Sequence, residues 1–142
     1  MANYYEYKPG LGAVGEYQAA GKPFLSGAID VDVLSSAGTT PYRVEFPSVT
    51  SWISIRNLDE DTGEVCYVAF SANGLPSQGG SNYFTLPDAG ATVPIVSPNV
   101  MNLKVTEVYL EGTSNNVEIV AGLTGIDVSE IDNNWSGSAG IG

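Results

Sequence analysis

The stretch from Val44 to Phe70, VEFPSVTSWISIRNLDEDTGEVCYVAF, constrains the fold more than any other part of the chain. Between Val49 and Arg56 the residues alternate. Val49, Ser51, Ile53 and Ile55 share one parity; Thr50, Trp52, Ser54 and Arg56 share the other. Side chains on a strand point alternately to its two faces, so this spacing predicts a strand with one buried face. Val65 to Phe70 is almost continuously apolar, as expected of a central strand covered on both sides. The residues between, from Asn57 to Glu64, are rich in turn formers. The two runs therefore read as a hairpin at the middle of an antiparallel sheet.

The same pattern recurs along the chain. FLSGAIDVDVL, residues 24–34, reads as a first strand, with Ile29, Val31 and Val33 alternating against Ala28, Asp30 and Asp32. Tyr42 to Phe46 begins a second. Apolar parity changes across Pro47, from even at Val44 and Phe46 to odd at Val49, Ile53 and Ile55. Proline has no amide to donate, so the change predicts an edge, a bend or a bulge at that point. Tyr83–Leu86, a possible edge strand over Ala91–Val96, Leu103–Leu110 and Val117–Leu123 come next, separated by Gly-, Asn- and Ser-rich loops. Seven or eight short strands without a helical period predict an all-β chain, an antiparallel β-sandwich of jelly-roll type. The expected organisation is an extended N-terminal arm (1–23), a sandwich domain (24–126) and a flexible C-terminal tail (127–142). The arm holds Tyr4, Tyr5, Tyr7 and Tyr17, whose amphipathic rings suit an interaction surface. The tail carries an isolated Trp135.

Charge narrows the function. The 142 residues carry a formal net charge of −11, with 5 Lys and Arg against 16 Asp and Glu. Nucleic-acid binding needs clustered cations to neutralise phosphates, and these few are scattered, so that class is excluded. Anionic membrane surfaces are disfavoured for the same reason. No apolar run approaches the ~20 residues that span a bilayer, and MANYYEYKPG lacks the basic start and apolar run of a secretory signal. The expectation is a protein made in a cytoplasm.

Recognisable chemistry is sparse. There is no histidine, which removes the usual Ser-His-Asp and Cys-His pairs and most zinc sites. The single Cys66 lies in an apolar strand and reads as a small core residue. Gly10, Gly12 and Gly15 fit G-x-G-x-x-G, but a dinucleotide site needs a strand before and a helix after. Here Lys8-Pro9 precedes the glycines, and Gly21 and Pro23 break the segment after them. Asp59-Glu-Asp61-Thr-Gly63-Glu64 lacks the ligand ladder of an EF-hand and reads as a solvated turn. Asp30 with Asp32, or Glu107 with Glu118, are the carboxylate pairs a glycosidase would require. Trp52, Tyr67, Tyr83 and Tyr109 are the aromatics that a sugar platform would use. The expectation is no enzymatic activity, no cofactor and no bound metal. The candidate interaction residues are Tyr4, Tyr5, Tyr7, Tyr17, Trp52 and Trp135.

Two stretches resemble structural proteins of tailed bacteriophages. One is GEYQAAGKPFLSG, residues 15–27, followed by VEFPSVT, residues 44–50, and its alternating strand; the other is VEIVAGLTGI, residues 117–126. The pattern is similar to the small virion proteins that decorate or cement phage heads. The resemblance implies a β-sandwich on the outer capsid surface, bound to the major capsid protein or other virion proteins, often as a homo-oligomer. A neck, tail or fibre component and a carbohydrate-binding module are the alternatives.

Overall fold

A computed structural model describes residues 10, 12, 15, 21–90, 100–131 and 135–142. The tyrosine-bearing positions 4, 5, 7 and 17 and the expected strand at 91–96 lie outside them. The regular structure is all-β with little helix. A three-stranded antiparallel sheet has the order β1-β7-β3, and a four-stranded one the order β2-β6-β4-β5. The strands are β1 (Lys22–Ile29), β2 (Tyr42–Glu45), β3 (Thr50–Asn57), β4 (Cys66–Ala69), β5 (Phe84–Leu86), β6 (Glu107–Gly112) and β7 (Val117–Leu123).

The alternation of β3 is realised from Ser51 onward, whereas Thr50, at the outward parity, is fully buried where the β3–β7 register shifts before Trp52. Val49, Ile53 and Ile55 are 0–1% exposed and Ser51 is buried, whereas Trp52 and Ser54 are half-buried and Arg56 is exposed. β7 alternates likewise, burying Val117, Ile119, Ala121 and Leu123. Val49 packs in a smaller cluster with Ile126 and Ile131, while one larger buried cluster joins Ile53, Ile55 and these β7 residues to Val44, Phe46, Val68, Val108 and Leu110. Slipping β3 by one residue would bring Ile53 and Ile55 out of this cluster, at about 1.5–3 kcal/mol each. That penalty fixes the register.

The expected hairpin of β3 and β4 does not form. β3 pairs with β7 and β4 with β6, so the polar segment between them connects the two sheets. The shift of parity at Pro47 has the same origin. Phe46 N–H still donates to the Thr106 carbonyl at 2.8 Å, beside β6, but Val49 N–H donates to Ile126 at 3.0 Å, beyond the end of β7. The chain changes sheets between them. Val44 and Phe46 before the crossing and Ile53 and Ile55 after it face the same core. The apolar pattern cannot by itself distinguish such a crossing from a bulge within one strand.

The first strand is also shorter than its pattern. β1 ends at Ile29, and Val31–Leu34 is a short helix, α1. The Asp30 side chain accepts from Val33 N–H at 3.1 Å, the local bond that draws Asp out of extended structure. Just before it, Ala28 has φ 51°, and the β1–β7 register shifts between Ser26 and Ile29. Leu103–Leu110 is likewise extended as a ladder only from Glu107. Val105 instead answers Thr50: its carbonyl accepts from Thr50 N–H at 3.0 Å, and its N–H donates to Thr50 Oγ1 at 3.1 Å.

Candidate interaction surface

The outward face of the β1-β7-β3 sheet is built by two adjacent rows. Pro23, Gly122 and Trp52 stand opposite one another in the register, and Leu25, Val120 and Ser54 form the next row. Neighbouring outward rows lie two residues apart along a strand, about 7 Å. Leu25 is 72% exposed. Gly122 puts no side chain between Trp52 and Pro23, which leaves a shallow hollow of about 320 Å³ walled by Gly21, Lys22, Pro23, Trp52 and Gly122. The third row holds Arg56 and Glu118, which are ion-paired. The face is therefore apolar and free of acidic groups at one end, with Lys22 beside it, and self-neutralised at the other. Sequence alone singles out Trp52 but not its companions. Leu25 carries a signal: it is next to Phe24, and two adjacent large apolar residues on a strand must put one of them outward.

The second sheet turns a different chemistry outward. Arg43 meets Glu45 at 2.8 Å and Glu107 through its Nε, and Tyr109 Oη donates to Glu107 Oε1 at 3.1 Å. Burial alone would lower the Arg43 pKa, but the hydrogen bond and charge of Glu107 outweigh it and the net direction is up. The Tyr109 phenol is also raised, first by burial and then by the Glu107 charge. Tyr67 and Tyr83 meet edge to face at 5.2 Å. Trp52 lies on the outward face of the other sheet, so the four aromatics do not form one platform. Trp135 is 43% exposed in the C-terminal turn, where Ser136 Oγ lies 3.3 Å from Ser71 Oγ.

Three of the four carboxylates in the candidate catalytic pairs are engaged, and neither pair faces a shared cleft. Asp30 caps α1, Asp32 lies within it, and Glu107 and Glu118 sit in different sheets, each with its own arginine. The acidic loop is a hydrogen-bonded junction. Asn57 Nδ2 donates to the carbonyls of Glu64, Leu86 and Pro87 at 2.9–3.1 Å, and its Oδ1 accepts from Asp59 N–H at 3.1 Å and Ser114 Oγ at 2.7 Å. Asp59, 4% exposed, accepts from Asp61 and Asn115 N–H, and Asp88 from Gly63 N–H. These side chains hold the sheet-to-sheet connection against the β5 and β6–β7 loops. Among the described residues, no group of three or more Cys, Asp or Glu is placed to hold a metal. Cys66 is fully buried, and burial pushes its thiol up to about 12, which suppresses the reactive thiolate. Comparison with protein-family models, curated proteins and solved structures finds no match for the chain.

Proposed function

We propose that the chain is a non-enzymatic structural protein of a tailed-phage virion. In this reading its two sheets pack as a jelly-roll-like sandwich that decorates or cements the outer capsid surface, bound to the major capsid protein lattice. The observation that carries the reading is the outward face of β1-β7-β3. Leu25, Val120, Pro23 and Trp52 form an apolar surface on a chain of net charge −11, and contiguous patches of that kind mark contact sites. The tying of Asp30 into a cap and of Glu107 and Glu118 into arginine pairs favours a mechanical role over a hydrolytic one. The mechanism is added contact area at many equivalent lattice positions, multiplied by avidity.

The test is to mix purified protein with undecorated heads and count the copies that co-sediment. Hundreds of copies per particle are expected. A saturating number of a few per particle excludes decoration and assigns the chain to a neck, tail or fibre. The hollow beside Trp52 favours one second reading, in which the indole stacks on a sugar ring with Lys22 at the rim. A glycan panel that gives no binding, or binding unchanged in Trp52→Ala, removes it.

A further inference from the structure

We infer that the outward face of the β1-β7-β3 sheet is an interface between two copies of this chain, related by a twofold axis. The inference rests on the reading of the chain as a component of an assembly and gives this face to contacts between copies within it, which leaves other surfaces to meet the lattice.

An interface about a twofold axis uses the same patch on both partners, so that patch must carry both a projection and its receptor. This face does. Leu25 projects from β1 and is 72% exposed, and the hollow walled by Trp52, Gly122, Pro23 and Lys22 opens one row away. A twofold axis lying in the contact plane, midway between Leu25 and the hollow, puts each Leu25 into the other copy's hollow, beside Trp52. The hollow, about 320 Å³, has room for the isobutyl group.

Charge points to the same occupant. Two chains of net charge −11 repel, and contact is tolerated only where acids are scarce. Among the described residues of the three rows, the single acidic one, Glu118, is paired with Arg56, and Lys22 adds a cation beside the hollow. The second sheet offers no such surface, because Glu45 and Glu107 stand together around Arg43. The acidic loop holding Glu60, Asp61 and Glu64 is a worse one.

Size sets the strength. Three strands about 4.8 Å apart and roughly seven residues long present about 14 by 23 Å, or about 330 Å² a side. A stable complex buries about 800 Å² a side. The contact is therefore weak in solution, and concentrations up to about 1 mM are needed to populate it. It becomes effective where other contacts hold copies side by side.

Sedimentation equilibrium of the full chain from about 10 µM to about 1 mM tests the inference. The wild type is expected to shift from the 14.9 kDa monomer toward a dimer. Leu25→Asp should abolish the shift. Val33→Asp, at a site 69% exposed on α1 and off this face, should leave it intact. A protein monomeric throughout, association undiminished in Leu25→Asp, or equal loss in Val33→Asp overturns the inference. The outcome separates from that of the capsid reading, because the measurement contains no capsid. Dimers that fail to bind heads leave the inference standing and remove the decoration role. Head binding by a protein that does not self-associate does the reverse.

Discussion

Removing the Cys66 thiol should invert the protein's stability ranking at alkaline pH. The side chain is fully buried in the core beside β6, and burial raises its pKa from 9.0 to about 12. In the unfolded chain the thiol loses its proton near pH 9; in the folded chain it holds it until about pH 12. The proton-bound folded state is thus fully favoured below pH 9, and the stability contribution falls as pH rises from 9 toward 12. Each unit of that interval is worth about 1.4 kcal/mol. By about pH 10.5 the wild type should have lost roughly 2 kcal/mol through this group alone. Cys66→Ala removes the titration and leaves a small void, costing about 0.5–1.5 kcal/mol at every pH, as other one-atom core deletions do. Urea unfolding midpoints at neutral pH and near pH 10.5 are the assay. The variant should be less stable than the wild type at neutral pH and equal or more stable at the alkaline value. Tyr109, whose phenol is also raised by burial and by Glu107, titrates in both proteins and drops out of the difference. A gap between the two proteins that does not change with pH would refute the argument, because the thiol would then have to ionise alike in both states.

Gly112→Ala should prevent folding or cost more than about 4 kcal/mol. Gly112 has φ 140°, and an added Cβ would stand 2.3 Å from the Val65 carbonyl oxygen; soluble yield and thermal midpoint report it. Asn57→Ala should cost about 2–4 kcal/mol in urea unfolding, since the junction loses its bonds to β5, to Glu64 and to Ser114 at once. Arg56→Ala breaks only an exposed ion pair with Glu118 and should change stability by less than about 1 kcal/mol, falling further in salt. Ellman's reagent should leave Cys66 unmodified in the native protein and label it fully in denaturant; fast native labelling would contradict its burial.

Period-two spacing makes most of the strands legible. Val117–Leu123 is readable to the residue, because four apolar residues at one parity, three of them large, permit only one buried face. What the spacing cannot convey is which sheet a strand joins. The runs around Pro47 and around Asn57–Glu64 have the composition of a bulge and a hairpin, and the alternatives differ only in distant partners such as Thr106, Ile126 and Asn115. Asp30 misleads because its capping bond to Val33 competes with strand formation in a way that alternation alone does not register. At the surface, Trp52 is visible by its type. Its setting is not, since Gly122 and Pro23 are far from it in sequence and become neighbours only through β7.

The position of β6 and β7 in their sheets has a consequence for biosynthesis. Each is flanked on both sides by strands that precede it in the chain: β7 by β1 and β3, β6 by β2 and β4. Of the ladders among the described residues, only β4 with β5 joins strands that are consecutive in the chain. A nascent chain leaving the ribosome in order therefore exposes β1, β2 and β3 before any of their hydrogen-bonding partners exist. The four-stranded sheet can close only once Gly112 has emerged and the three-stranded one only once Leu123 has, both through long-range pairing of the slow kind. Until its own partner emerges each of these aggregation-prone strands waits unpaired, and that is the interval in which a chaperone, or a second nascent copy, would find it.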